Sequence, residues 1–334
     1  MKRVNQAPPL RLCIDTGGTF TDCISEDHDG KLLRCKVLSN STLRCVAEIG
    51  SDRQSIHIDT GYTVSAGFYR GYTFSSIENP GERIEIIDSN EGGTLVNLQK
   101  PFTDKINNRF PAIIYSKEEA PVFAARLITN TALEEPFPNL EMRLATTKGT
   151  NSLLEREGGK TLFLITEGFA DLLKIRNQQR PDLFSLDIRK PEPFYHKIVE
   201  VAARMDSQGN EIRSLDMDSL SKILEPLVKE TESAAVCLMH GYRNPDHERK
   251  VGHVLRDLGV KHISLSSDLS SSISIVPRAV TADINAFLSP VMESYLNHIS
   301  ETVGSDSLRV MTSAGNLAAS NTYKPVDGLL SGPA

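Results

Sequence analysis

An apolar run from Leu12 to Ile14 ends in Asp15, two glycines follow, and Phe20 to Ile24 resumes an extended pattern. Extended segments on both sides of a glycine pair predict a β-hairpin that turns at Gly17-Gly18. His28-Asp-Gly30 reads as a turn and Lys31 to Leu38 as a third strand. From Ser39 to Ser116 the pattern breaks into short alternating segments, Cys45 to Ile49, Arg83 to Ile87 and Thr94 to Leu98, separated by Gly, Asn, Asp and Pro. That spacing predicts a small β-rich module over 39–116, inserted between residues 1–38 and 117–334 of the main body. Glu118 to Asn130 has helical spacing with Pro121 in its first turn. From residue 142 onward strands and helices alternate. Strands are expected at Met142 to Thr147, Lys160 to Thr166, Ile198 to Met205, Ala234 to Met239 and Lys261 to Leu265, of which Lys160 to Thr166 and Ala234 to Met239 read as buried. Helices are expected near 169–175, 218–230 and 247–258, and over 280–303, where Pro290 predicts a kink or break. Such an order argues for a mostly parallel sheet covered by helices.

Within this framework the first hairpin carries the chemistry that is easiest to read. Glycines permit positive φ and leave amide N–H groups uncovered, so the Gly17-Gly18 turn can form a donor nest for phosphate oxygens. Thr19 and Thr21 add hydroxyl donors, Asp15 at the strand end is placed to hold a hydrated Mg²⁺, and Asp22 is a second acid nearby. The spacing is neither that of a Walker loop nor that of a Rossmann fingerprint. On residues alone, a plain hairpin with solvated acids accounts for Asp15 to Thr19 equally well. Ile58-Asp-Thr-Gly-Tyr-Thr63 imitates the stretch, but Tyr62 would crowd a phosphate, so a plain hairpin is expected there.

Downstream, Gly149 breaks the strand ending at Thr147, and Thr150-Asn151 is placed to cap a helix carrying Leu153 to Arg156. A helix start of this kind favours a carboxylate, carbonyl or phosphate, although a well-capped helix needs no ligand. Arg176-Asn-Gln-Gln-Arg-Pro-Asp182 concentrates arginines and amides in one loop, a donor set suited to a carboxylate or imide. His240, Arg243 and His247 match no standard metal-ligand spacing, and Asn244-Pro245-Asp246 reads as a helix start.

Composition sets the limits. The chain has 334 residues, enough for two domains, and a formal net charge of −6 with no basic block, which argues against a nucleic-acid surface. Five cysteines without C-x-x-C spacing indicate neither a disulfide framework nor a zinc site, and Cys13 and Cys23 are expected to be buried thiols. No apolar run long enough for a membrane span or a signal core occurs, so a cytoplasmic protein with no membrane partner is expected.

Five ordered motifs together resemble the hydantoinase A and 5-oxoprolinase family of the actin, Hsp70 and sugar-kinase ATPase superfamily. They are Ile14-Asp-Thr-Gly-Gly-Thr-Phe-Thr-Asp22, Ala145-Thr-Thr-Lys-Gly-Thr-Asn-Ser-Leu-Leu-Glu-Arg156, Thr166-Glu-Gly-Phe-Ala-Asp171 with Gln179-Arg-Pro-Asp-Leu183, His240-Gly-Tyr-Arg-Asn-Pro-Asp-His-Glu248, and Leu330-Ser-Gly-Pro-Ala334. The resemblance implies an α/β fold, an actin-like (ribonuclease H-like) first lobe with a mixed sheet and helices, with a second lobe beginning near 275. It implies ATP and Mg²⁺ as cofactors and ATP-dependent opening of a cyclic amide, such as 5-oxoproline or a hydantoin, through phosphorylation of the amide oxygen. Asp15 and Asp22 would be catalytic acids with Asp15 on the metal. Gly17, Gly18, Thr19 and Thr21 would bind the nucleotide, and Thr147, Thr150, Asn151 and Arg180 the substrate. Relatives that phosphorylate ketones for carboxylation, and a non-catalytic assembly module, are the competing readings. Ser313-Ala-Gly-Asn316 departs from the family's usual Ser-Asn-Gly-Gly. The family's second phosphate loop lies beyond Ser-Gly-Pro-Ala, so the resemblance implies the N-terminal part of a longer enzyme. Its partner would be the C-terminal remainder or a hydantoinase B-type subunit.

Overall fold

The computed structural model describes residues 8–26, 29–103, 109–177, 184 and 190–331. The chain divides into two compact units, the first formed by Met1–Lys148, Tyr295–Tyr323 and Asp327–Ala334, the second by Gly149–Ser294 and Lys324–Val326.

The first unit is built on a sheet of twelve strands. Strands β1 (Leu10–Thr16) and β2 (Phe20–Glu26) form the expected antiparallel hairpin, and β3 (Leu32–Leu38) pairs with β2. The period-two pattern buries Leu12, Ile14, Cys23, Cys35 and Val37 on one face. Cys13 was expected inside, but the register sets it opposite Ile24 on the outer face, where it is exposed. The β-rich segment forms β4 (Thr42–Ile49), β5 (Ser55–Asp59), β6 (Thr73–Ser76), β7 (Ile84–Ser89), β8 (Leu95–Leu98) and β9 (Arg109–Tyr115). These strands run in the order β4-β5-β8-β7-β6-β9, and β9 pairs back onto β4, closing a six-stranded barrel. Phe74, Phe102 and Phe110 fill it, with ring centroids 5.7 to 6.3 Å apart. Closure removes the exposed edges that an open six-stranded sheet would present.

The imitation motif at Ile58 to Thr63 is not the hairpin expected. The chain leaves β5 and reaches β6 through a long loop, and the two strands do not pair. Its amides are taken locally, Gly61 N–H by Asp59 Oδ1 at 3.1 Å and Tyr62 N–H by Thr60 Oγ1 at 3.2 Å.

Helix α1 (Ala120–Thr129) packs on β1, β2 and β3 and ends at Asn130, in the left-handed region at φ 51°. β10 (Leu140–Thr146) then lies parallel to β1 in the register Thr16 to Thr146. Two late strands, Leu308–Met311 and Leu317–Ala319, continue the sheet beyond β10. Helix α2 (Lys148–Glu155) follows β10 directly.

The second unit has a four-stranded parallel sheet, with β11 (Thr161–Thr166) between β12 (Lys197–Val201) and a later central strand. The short α3 (Leu172–Ile175) lies between β11 and β12. A two-stranded ribbon, β13 (Arg204–Met205) and β14 (Glu211–Arg213), interrupts the single strand expected over 198–205. It is followed by α4 (Met217–Val228), β15 (Ser233–Cys237), α5 (Asp246–Asp257), β16 (His262–Leu265), α6 (Ser266–Leu269) and α7 (Ile275–Val303). The sheet order is β12-β11-β15-β16. Leu220, Leu224, Val251 and Leu255 cover one face, and Leu173, Ala279, Ala282 and Ala286 the other. Parallel strands buried on both faces explain the unbroken apolar runs at Leu162 to Ile165 and Ala234 to Leu238.

Helix α7 continues through Pro290, where a kink or a break was expected, so the chain does not break there. Neighbours take the carbonyls on that turn. Gly159 N–H bonds to Phe287 O at 2.9 Å, and Ser289 Oγ donates to Asn285 O at 2.6 Å. A Cβ on Gly159 would lie 2.6 Å from the Pro290 ring, and one on Gly158 2.4 Å from the Phe287 ring, so the Gly-Gly pair is what lets the helix approach.

Candidate functional site

The glycine turn sits at the end of β1, next to the end of β10, so two parallel strand termini share one edge of the first unit's sheet. Gly17 N–H closes the turn onto Phe20 O at 3.0 Å. Neither Gly17 nor Gly18 adopts positive φ, so the expected reason for glycine at these positions does not hold. The turn is held from outside instead. Ser39, just after β3, donates its N–H to Thr19 O at 2.9 Å and its hydroxyl to Gly17 O at 2.8 Å. With both carbonyls drawn to Ser39, the Gly18 and Thr19 amides make no backbone hydrogen bond among the described residues.

Every expected site residue except Arg180 lies among the described residues. Thr19 is exposed on the turn. Thr21 is buried, and its hydroxyl lies 3.1 Å from Ser39 Oγ, so it braces the turn from beneath. Asp15 and Asp22 face each other across the hairpin. Partial desolvation, and then the charge of Asp22, raise the carboxyl of Asp15, a residue on the exposed face of β1, above the usual aspartate range. Asp22 is paired with Lys36, whose Nζ lies 2.9 Å from both carboxylate oxygens, while Asp15 has no hydrogen-bond partner among the described residues.

Thr147 belongs to the same edge. Its N–H donates to Thr16 O at 2.9 Å and its hydroxyl to the same oxygen at 3.3 Å. The next helix does not begin at the cap expected at Thr150-Asn151. α2 starts at Lys148, two residues before Thr150, and Thr146 Oγ1 accepts the Lys148 N–H at 3.1 Å where the chain enters the helix. Thr150 and Asn151 therefore stand within the first turn of α2. Arg180 lies outside the described residues, as do Gln179 and Pro181 to Leu183.

Two contributors to this edge were missed from sequence, Ser39 and Ser331. The buried Ser331 donates its hydroxyl to Thr146 O at 3.1 Å. Its place in the Ser-Gly-Pro-Ala motif was a signal without a stated role.

The motif His240 to Glu248 is structural in the second unit. Glu248 is fully buried and accepts from Leu238 N–H at 2.8 Å, Ser266 Oγ at 2.7 Å and Ser267 N–H at 2.8 Å. Arg278, equally buried, lies 3.6 Å from it and donates to Ser266 Oγ and Leu238 O. A Cβ on Gly241 would fall 2.4 Å from Glu248 Oε1. His247 bonds to Glu211 at 2.6 Å. No group of three or more His, Cys, Asp or Glu among the described residues is arranged to hold a metal ion.

Comparison with known proteins places the fold first. The structure is similar to nucleotide-free acetone carboxylase, with a TM-score of 0.64 and 17% identity over 98% of this chain and 39% of that one. It is also similar to the ATP-dependent caprolactamase of Pseudomonas jessenii, with a TM-score of 0.62 and 23% identity over 97% of this chain and 38% of that one. The chain is thus an α/β protein of the fold shared with those two enzymes.

Residues 114–259 match the hydantoinase/oxoprolinase N-terminal region, and residues 278–334 match the hydantoinase/oxoprolinase family model. The chain belongs to the hydantoinase/oxoprolinase family. It is 35% identical over 223 residues to the 5-oxoprolinase of Dictyostelium discoideum, an alignment covering 58% of this chain and 18% of that protein. The chain therefore spans less than a quarter of that relative's length. No helix among the described residues is long and apolar enough to cross a membrane.

Proposed function

We propose that the edge formed by Asp15, the Gly17 to Thr19 turn and Thr147 binds the phosphates of ATP in an enzyme that opens cyclic amides. The observation that carries this reading is the Ser39 clamp. It holds two carbonyls back and, among the described residues, leaves the Gly18 and Thr19 amides and the Asp15 carboxylate without hydrogen-bond partners. Backbone amides held in advance stabilise phosphate charge without reorganising when it arrives, which is how most phosphoryl-transfer sites work. Asp15 would hold Mg²⁺. One protein carboxylate suits that ion, which keeps several waters and takes its remaining ligands from phosphate. Bound there, the ion would neutralise charge on the transferring phosphoryl group.

The chain's own residues have separable tasks in this reading. Gly18 and Thr19 donate to phosphate oxygens. Asp22, tethered by Lys36, adds negative potential that keeps a cation at Asp15. Thr147, Thr150, Asn151 and Arg180 orient the amide. An amide carbonyl is a poor electrophile, and transfer of phosphate to its oxygen makes that oxygen a leaving group, so positioning is the main task of the protein. The actin-like form of the lobe, a cytoplasmic setting, and a partner that is either the remainder of a longer enzyme or a hydantoinase B-type subunit belong to the same proposal.

The test is calorimetric titration of the chain with ATP and Mg²⁺, together with ATP hydrolysis assayed with 5-oxoproline or hydantoin on a version extended past Ala334. Binding that depends on Mg²⁺ and is lost in Asp15→Ala, with substrate-stimulated turnover in the extended chain, is expected. ATP binding unchanged in Asp15→Ala would overturn the assignment.

A further inference from the structure

The motif that imitates the opening hairpin, Ile58 to Thr63, borders a cavity of about 230 Å³ in the first unit, together with Gly92, Gly93 and Thr94. At about 30 Å³ of liquid volume per water, this space takes a ligand of roughly eight non-hydrogen atoms. Among the described residues that line it there is no lysine, arginine or histidine, and there is one carboxylate, Asp59.

The two versions of the motif have opposite polarity. At Gly17-Gly18 the carbonyls are drawn off by Ser39 and amides are left over. At the cavity the amides are spent. Gly61 N–H is taken by Asp59 Oδ1 and Tyr62 N–H by Thr60 Oγ1, while Gly92 N–H goes to Val64 O at 2.9 Å, Gly93 N–H to Asn90 O at 3.0 Å and Thr94 N–H to Asn90 Oδ1 at 2.9 Å. What remains is acceptors. Asp59 Oδ2 and the carbonyls of Gly61, Gly92 and Gly93 have no hydrogen-bond partner among the described residues. A phosphate or carboxylate here would face Asp59 with no lining cation to offset it, whereas a positively charged donor would meet unused acceptors.

The cavity is also held open. Gly61 and Gly92 adopt φ of 76° and 86°, and no atom lies within 4 Å of where a Cβ would stand on either, so the backbone borders empty space. Tyr62 is fixed at its far end, where its hydroxyl accepts the Lys36 N–H at 2.9 Å and donates to Lys36 O at 3.2 Å. Tyr62 stands where the opening motif has Gly18. There it takes the room a phosphate would need and adds an aromatic ring, whose face attracts cations.

We propose that this cavity binds a small primary amine in its ammonium form. The three N–H donors of a compact ammonium head are met by Asp59 Oδ2 and by glycine carbonyls of the lining, and the short carbon chain lies against Ile58 and Tyr62.

The test is calorimetric titration or ligand-observed NMR of the whole chain at pH 7 with n-butylammonium chloride, with 1-butanol as the uncharged analogue and butyrate as the anion. Saturable binding of butylammonium that weakens as sodium chloride is added is expected, with 1-butanol and butyrate at least fivefold weaker. Asp59→Asn keeps an oxygen for the Gly61 N–H and removes the charge, and should weaken butylammonium about fivefold or more. Thr63→Phe fills space at the lining without changing charge and should weaken it comparably. Melting curves establish that the variants fold, and Thr63→Phe decides the matter if the asparagine variant does not. Absence of wild-type binding, equal binding of 1-butanol, or unchanged affinity in either folded variant overturns the proposal.

Discussion

Ser39 touches the glycine turn at both shoulders, and its hydroxyl also meets the buried Thr21 hydroxyl at 3.1 Å. Ser39→Ala removes the bond to Gly17 O while sparing the amide bond to Thr19 O. We expect a loss of about 1 kcal/mol in stability and a several-fold weaker ATP titration, with the fold intact by circular dichroism. Ser39→Thr should retain most of the affinity. Asp283 gives a residue-level prediction of another kind. Burial raises its carboxyl from 3.8 to about 7 in the folded chain. Between those values the folded state holds a proton that the unfolded state has released. Stability therefore falls as pH rises through that window, and above it the folded chain carries the full penalty, about 4 kcal/mol. Asp283→Asn should melt close to the wild type near pH 4 and several degrees higher at pH 8. A wild-type melting temperature that does not decline relative to the variant across this range would contradict the assignment. These two residues also mark the limit of reading from sequence. Asp15 and the glycines could be picked out because they are neighbours in the chain. Ser39 acts across 22 positions and Asp283 across 89, and neither carries a local signature.

At the scale of elements, the β15 to α5 junction is a lock built around one carboxylate. Gly241 is required because a methyl group there would meet Glu248, and Glu248 is required because it alone collects Leu238 N–H, Ser266 Oγ and Ser267 N–H. Glu248→Ala strands Arg278 in the interior and should cost about 3–5 kcal/mol in urea unfolding. Gly241→Ala should cost about 1–3 kcal/mol by overpacking. Neither should alter ATP affinity in molecules that remain folded. The hairpin, α1 and the alternation of strand and helix in the second unit were legible because each has a local period. Pro290 misled because what holds the helix through it is remote: a Gly-Gly pair more than a hundred residues earlier makes room for the proline, and one of its amides takes the Phe287 carbonyl. The start of α2 was placed too late because Thr146 reads as the last residue of a strand, and in the structure its hydroxyl also accepts the Lys148 N–H, so the helix begins at once after it.

For the whole molecule, local pattern identified β4, β7 and β8 of the β-rich segment but neither β5, β6 and β9 nor the closure of the six. The barrel is completed by β4 meeting β9, an antiparallel pairing from Thr42 with Tyr115 to Glu48 with Arg109. The parallel pairing of β1 with β10, which creates the candidate edge, likewise joins Leu10 to Leu140. No periodicity encodes pairings at such separations. The second unit is nearly continuous in sequence, 149–294, whereas the first is assembled from three stretches, of which the last reaches Ser331. Contacts that close small loops form sooner than those that close large ones. In refolding followed by pulsed hydrogen exchange, amides of β11 and β15 should gain protection before those of β10, and the reverse order would count against this topology. The hydroxyl of Ser331 on the Thr146 carbonyl extends the point to biosynthesis. As the nascent polypeptide leaves the ribosome, β10 must wait with its outer neighbours missing until the Ser331 hydroxyl, 185 residues beyond Thr146, has been translated. Any chaperone dependence of the chain should therefore reside in the first unit, whose stretches are the farthest apart in sequence.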